Sequence, residues 1–139
     1  MNSFIKIIIL VILVLAILYT LPQPSNHEEE PFLETDVQVA TPKPGDLVSS
    51  PLVVEGKARG TWFFEANLPV TLKDSNGKIL AQKGFMAQGE WMTEDHVSFE
   101  GTLEFAQPET EYGVLLIEKD NPSELSEFDA SFAVPVRFR

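Results

Sequence analysis

Hydrophobic residues dominate the first part of the chain, and they alternate with polar residues through most of the folded part that follows. Residues 4–21 read FIKIIILVILVLAILYTL, in which fourteen of eighteen residues are Leu, Ile, Val or Phe and the single charge is Lys6. A helix of this length is about 27 Å long, close to the thickness of roughly 30 Å of a hydrocarbon core. The pattern predicts one N-terminal transmembrane helix over residues 1–21.

Charges on the two sides of this helix predict its orientation. Lys6 is the only basic side chain before it, whereas Glu28, Glu29 and Glu30 follow it. Basic residues favour the cytoplasmic side, so we expect a single-pass protein of the cytoplasmic membrane with its N-terminus inside and residues 22–139 outside. A cleaved signal peptide is the alternative. The segment TLPQPS has no pair of small residues of the kind that cleavage prefers, which favours an uncleaved signal anchor.

Residues 22–36 differ in composition from the segments on either side. They read PQPSNHEEEPFLETD, with three prolines, five acidic residues and no basic one. Prolines favour extended backbone and like charges repel, so this composition is typical of a stiff, solvated linker. We expect residues 22–36 to be an acidic, Pro-rich linker between the anchor and a folded domain.

Short runs of alternating hydrophobic residues, divided by turn residues, occupy residues 37–139. In residues 97–105 every second residue is apolar or Gly, as in a strand with one buried face. Asn76-Gly77 favours a hairpin turn, Val114–Ile117 is apolar on both faces and predicts a central strand, and Pro135 predicts an edge or a bulge. The predicted strands cover residues 37–39, 51–58, 68–73, 78–83, 97–105, 114–117 and 131–138.

About seven strands in roughly 100 residues, without an amphipathic helix, predict an all-β fold: an antiparallel sandwich of two sheets. Tyr112, just before a strand, is a candidate tyrosine corner, in which a buried hydroxyl bonds to upstream backbone. Because the chain has no Cys, core packing alone must hold the sandwich together, and ten Phe and two Trp make such a core feasible.

Five motifs in order resemble a known family. They are Ser49–Gly60, Trp62–Ala66, Gly89–Met92, Lys119–Ser123 and Val134–Phe138. Together they resemble the immunoglobulin-like domain of bacterial spore germination, the Gmad2 family, over nearly all of residues 37–139. The resemblance implies an immunoglobulin-like sandwich on the outer side of a bacterial membrane, with a link to germination or to other functions of the cell envelope.

Candidate binding residues cluster in the aromatic segment that contains Arg59, Trp62, Phe63 and Glu65. Exposed aromatic side chains beside an Arg suit a protein partner or a sugar ring. The structural alternative is a strand whose Trp62 and Phe64 fill the core while Phe63 covers an edge, with Arg59 and Glu65 as an ordinary ion pair. We favour the core interpretation for Trp62 and Phe64.

A second candidate segment contains Trp91 and Met92, which either cap the open end of the sandwich or bind a partner. Glu94, Asp95 and His96 follow them and carry metal-ligating groups. Three consecutive residues of an extended chain cannot all point at one ion, so we expect a solvated loop and no metal site.

Composition and motifs exclude several classes of function. Ten basic against 21 acidic residues give a net charge of −11, which opposes nucleic-acid binding. The absence of Cys excludes thiol nucleophiles and thiolate zinc sites, and no hydrolase, phosphate-loop or dinucleotide motif is present. We therefore expect no catalytic residues, no cofactor and no enzymatic activity.

The expected function is that of a membrane-anchored binding or scaffold module whose domain outside the cytoplasm is monomeric. Its partner would be an envelope protein or a cell-wall polymer. Two alternatives remain at this point: a carbohydrate- or peptidoglycan-binding module that stacks sugars on Trp62, Phe63 or Trp91, and an accessory subunit of an envelope hydrolase.

Overall fold

The computed structural model describes residues 2–20 and 35–139. These belong to two compact units. The described part of the first unit is the helix α1, Ser3–Thr20. Within the described residues, no helix combines the length and the apolar character needed to cross a membrane. The predicted linker, residues 22–36, lies outside the described residues except for its last two positions.

The second unit is an all-β sandwich, as the alternating pattern predicts. Its strands are β1 Val37–Thr41, β2 Leu52–Arg59, β3 Asn67–Asp74, β4 Ile79–Met86, β5 His96–Leu103, β6 Tyr112–Glu118 and β7 Ser131–Arg137. They form a three-stranded sheet in the order β1-β2-β5 and a four-stranded sheet in the order β4-β3-β6-β7. All pairings between these strands are antiparallel, and the arrangement is immunoglobulin-like.

The core lies between the two sheets and is built from alternate residues of each strand. Phe85 and Phe99 pack with their ring centroids 6.4 Å apart, and both are buried. Gly101 lies directly against the Phe85 ring, where a side chain would collide with it. The other large, fully buried side chains are Leu68, Leu72, Leu103, Leu115, Ile117, Val37, Val54, Val70, Val134 and Val136.

Several local predictions are confirmed by the topology. Val114–Ile117 lies in β6, which is paired on both sides, and Pro135 lies in β7, the outer strand of its sheet. The turn between β3 and β4 is held by Asp74, whose Oδ1 accepts hydrogen bonds from the backbone N–H groups of Asn76 and Lys78, each at 2.9 Å. Gly77 has a φ of +82°, a conformation that glycine adopts without steric cost.

The prediction of a tyrosine corner at Tyr112 is wrong. The side chain is exposed, and among the described residues its hydroxyl has no hydrogen bond to upstream backbone. Tyr112 is the first residue of β6 and lies opposite Arg137 at the end of the pairing with β7, so its ring projects beyond the packed part of the sheet.

Candidate functional site

The aromatic segment after β2 is a turn and not a strand. Residues Gly60–Trp62 form one turn of 3₁₀ helix, closed by a 3.1 Å hydrogen bond from the Phe63 N–H to the Gly60 carbonyl. Gly60 is required here, because a Cβ at this position would overlap the carbonyl oxygens of Trp91 and Thr93. The turn is therefore pressed directly against the backbone of the loop before β5.

Trp62 and Phe63 both belong to the core, with only 6% and 4% of their surface exposed. The Trp62 indole N–H donates to a carboxylate oxygen of Asp36 at 3.4 Å. The Trp62 backbone carbonyl accepts a hydrogen bond from the Asp120 N–H at 2.9 Å. Phe64, by contrast, is 40% exposed. The prediction that Phe63 covers an edge while Phe64 is buried is wrong, because the turn at Gly60–Trp62 interrupts the strand alternation and leaves the consecutive residues Trp62 and Phe63 both buried.

Glu65 lies at the tip of a tight turn that joins this segment to β3. Phe64 and Asn67 exchange two backbone hydrogen bonds of 3.1 and 2.9 Å around it. Glu65 and Ala66 have φ values of +49° and +63°, which makes this a type I′ turn built from residues other than Gly or Asn. The left-handed conformation costs roughly 1–2 kcal/mol for each such residue, and the turn holds the Glu65 side chain out in solvent.

The loop that carries Trp91 and Met92 is held by short-range hydrogen bonds. The Met92 N–H donates to a side-chain oxygen of Glu90 at 2.9 Å, and the Thr93 N–H donates to the Trp91 carbonyl at 2.9 Å. The Thr93 hydroxyl in turn accepts from the Asp95 N–H at 3.1 Å. Trp91 is half-buried against the core, and Met92 is 73% exposed. Both candidates are therefore accessible, Met92 far more than Trp91.

Arg59 fastens this loop to the start of the domain. Its guanidinium donates to the Glu94 carbonyl at 3.2 Å and lies 3.9 Å from a carboxylate oxygen of Asp36. The ion pair with Glu65 that the sequence suggested is not formed; the described partner carboxylate is Asp36. Its side chain is 27% exposed. Arg59 therefore holds the loop before β5 in place through the Glu94 carbonyl.

Three of the six candidate residues line one open pocket of about 460 Å³ between the turn and the loop. The residues that line it are Gly60, Thr61, Phe63, Trp91, Met92, Thr93 and Glu94. We refer to these residues as the turn–loop pocket. Phe63, Trp91 and Met92 give it apolar residues, and Glu94 is the acidic residue of its lining. Arg59 and Trp62 support the pocket, and Glu65 is at the separate turn beside it.

Sequence reasoning missed Thr61 and Thr93 as parts of this pocket. The signal that could have found them was Gly60, whose place beside bulky aromatic residues is typical of a close approach between two backbones. Within residues 2–20 and 35–139, no group of three or more His, Cys, Asp or Glu residues could hold a metal ion. Glu94, Asp95 and His96 are adjacent in the chain, and the His96 ring bonds to the Thr35 carbonyl at 2.9 Å.

Comparison with known proteins gives one match. The family model for Gmad2, the immunoglobulin-like domain of bacterial spore germination, matches residues 36–126, which are 91 of the 139 residues. No curated protein matches the chain, and no solved structure matches it. The matched stretch contains β1 to β6, the 3₁₀ turn and the loop of the turn–loop pocket, and ends before β7. The chain therefore belongs to the Gmad2 family of immunoglobulin-like domains of bacterial spore germination.

Proposed function

We propose that this protein is a binding module of the bacterial cell envelope that recognises its partner through the turn–loop pocket and catalyses no reaction. One observation carries the proposal: Met92 is 73% exposed at the edge of an open, partly aromatic pocket. Exposed Met and half-buried Trp side chains are typical of contact residues, because they offer a large apolar area to a partner.

The support beneath the pocket favours recognition by a preformed surface. Phe63 is part of the core, the Gly60 N–H donates to the Asp95 carbonyl at 3.0 Å, and Arg59 holds the Glu94 carbonyl. A surface that is already ordered loses little conformational entropy when a partner binds. The partner would be an envelope protein, and the domain itself would be monomeric.

The proposal includes anchoring in the cytoplasmic membrane through residues 1–21, with residues 37–139 outside. Its support is the run of fourteen Leu, Ile, Val or Phe residues, together with Lys6 before it and three consecutive Glu residues after it. Protease added to intact spheroplasts should degrade residues 37–139, and alkaline carbonate should fail to extract the full chain. Protection of the domain from protease until the cells are lysed would refute this topology.

Photo-crosslinking tests the pocket. Benzoylphenylalanine is placed at Met92 in the full-length protein in its native membrane, and a matched variant carries it at Ile79. Ile79 is also an exposed apolar residue, but it begins β4 and does not line the pocket. We expect one discrete crosslinked protein from position 92 and none from position 79. Equal products from both positions would refute recognition at the pocket.

A second candidate function is binding of a cell-wall polymer, which one observation favours: Trp91 is half-buried and lines the pocket, so part of this aromatic residue is accessible to a sugar. Trp62 and Phe63 are buried and cannot serve as stacking platforms. Peptidoglycan fragments or glucans should then change the tryptophan fluorescence of the protein, and a Trp91→Phe variant should lose the change. Unchanged fluorescence at millimolar sugar would leave the protein partner as the function.

A further inference from the structure

The two sheets have four outer strands, and three of them carry features that oppose the addition of another strand. β1 is five residues long and has an irregular register between Val39 and Thr41. β4 carries Lys83 and an irregularity of its own in the pairing with β3. β5 is already bridged on its outer side, where the Gln88 N–H donates to the Ser98 carbonyl at 2.8 Å. Short strands, charges and bulges are the usual protection of sheet edges.

The outer strand β7 is covered over its C-terminal half only. Residues 45–48 run beside it as a covering segment. The Arg137 N–H donates to the Asp46 carbonyl at 2.9 Å, and the Val48 N–H donates to the Arg137 carbonyl at 2.8 Å. The Gly45 N–H donates to the Pro135 carbonyl at 2.8 Å. These bonds show that the backbone N–H and carbonyl of Arg137 and the carbonyl of Pro135 point away from β6. An N–H at position 135 would also point outward, so Pro135 removes no hydrogen bond from the β6–β7 pairing.

In the N-terminal half of β7, the backbone groups of every second residue likewise point away from β6. The Lys119 N–H donates to the Ala130 carbonyl at 2.9 Å, which makes the facing residues Glu118 and Ser131 a non-hydrogen-bonded pair of the β6–β7 ladder. The backbone N–H and carbonyl of Ser131 therefore point away from β6. Because this direction repeats every second residue, those of Ala133 do the same.

No described residue bonds to these outward groups of Ser131 and Ala133, and no strand or bridge within residues 35–139 lies beside them. The sequence of this half, Ser131–Val134, is uncharged and contains neither Pro nor Gly. The side chains of Ser131 and Ala133 are small and exposed. This half of β7 is thus an open sheet edge without the protection found on the other outer strands.

We propose that residues 131–134 of β7 accept an extended segment of a partner protein, which adds a strand to the four-stranded sheet in line with the covering segment. Main-chain hydrogen bonds to Ser131 and Ala133 would hold the segment, as in other cases of strand addition. The inference is independent of the turn–loop pocket, which is built from other elements. It also lies outside the stretch that the family model matches, which ends at residue 126.

Charges beside the open edge indicate the chemistry of this segment. Glu124, Glu127 and Asp129 are all exposed and come immediately before β7. An extended segment with alternating apolar residues and Lys or Arg at the end beside these carboxylates would complement them. A second copy of the chain would instead bring two such acidic groups together, in a protein whose net charge is already −11. The partner segment would therefore carry Lys or Arg at the end that lies beside these carboxylates.

Amide hydrogen exchange in the detergent-solubilised full chain tests the proposal. The probe is an acetylated octapeptide of alternating valine and threonine that ends in two lysines. In the free protein the Ala133 amide should exchange rapidly, and millimolar probe should slow it about tenfold or more, since exchange slows as the bonded state becomes populated. The same peptide with alternate amides N-methylated, or with glutamates in place of the lysines, should protect it far less.

A matched pair of variants removes or keeps the N–H group at this position. Ala133→Pro lacks it while suiting an edge strand, as Pro135 does, and we expect binding of the probe to weaken about tenfold. Ala133→Thr keeps the N–H and should bind as the native chain does. Equal binding by both variants, or no slowing of Ala133 exchange at millimolar probe, would overturn the proposal. So would a dimer by light scattering in which the Ala133 amide is protected without probe.

Discussion

Substitution of Gly60 by alanine tests whether the 3₁₀ turn and the loop before β5 are packed as described. The added Cβ would overlap two backbone carbonyls, those of Trp91 and Thr93, and backbone atoms cannot move aside as the end of a side chain can. Forcing an extra carbon into a packed site costs about 1–3 kcal/mol. Displacing the loop also strains the 3.0 Å hydrogen bond from the Gly60 N–H to the Asp95 carbonyl, worth about 0.5–1.5 kcal/mol.

We therefore expect Gly60→Ala to lower the free energy of unfolding by about 2–4 kcal/mol. Urea unfolding of the full chain, followed by tryptophan fluorescence, measures it. The matched control is Gly84→Ala. The Cβ added at position 84 would meet the side-chain amide of Asn67. This amide can rotate away, but it then loses its 2.8 Å hydrogen bond to the Asp120 carboxylate. We expect that variant to lose about 1 kcal/mol. Equal losses in the two variants, or a loss below 1 kcal/mol for Gly60→Ala, would refute the packing argument.

Three further predictions concern the aromatic segment and its neighbours. Trp62→Ala should destabilise the domain by about 3–5 kcal/mol in the same assay, whereas Met92→Ala, at a side chain 73% exposed, should stay within about 0.5 kcal/mol. Equal effects of these two changes would contradict the burial described. Ala66→Gly should stabilise the fold by up to about 1 kcal/mol, because relief of the left-handed backbone exceeds the entropy that glycine adds to the unfolded chain; a thermal midpoint that falls would contradict this. Arg59→Ala should cost about 1 kcal/mol or less, and 0.5 M NaCl should narrow the difference from the native chain, since the pair with Asp36 is partly exposed.

The sandwich could be predicted from the sequence because strands and tight turns produce patterns among residues that are close together in the sequence. The alternation in residues 97–105, the Asn76-Gly77 turn and the position of Pro135 each depend on neighbouring residues alone, and the structure confirms all three. The two-faced apolar run Val114–Ile117 also identified its strand as internal.

The candidate site could be predicted only in part, because its geometry depends on contacts between distant residues. Gly60 signals a close approach of backbone, but its neighbours in the sequence do not identify the carbonyls of Trp91 and Thr93 as the atoms that it meets, and they do not indicate a turn where a strand pattern continues. That turn moved Phe63 into the core and Phe64 out of it. The partner of Arg59 was likewise misassigned, because Asp36 reaches it through the pairing of β1 with β2.

The chain enters the sandwich at the same end as the turn–loop pocket. The Thr35 carbonyl bonds to the His96 ring, and the Asp36 carboxylate contacts both Arg59 and Trp62, so two residues just before β1 help to hold the elements on which the pocket rests. A force applied to the chain before Thr35 would act on these contacts before it acted on the hydrogen bonds between the strands. In the proposed function, tension between the membrane anchor and a partner bound at the turn–loop pocket would therefore act first on these contacts, and we expect it to weaken binding of the partner before the two sheets separate.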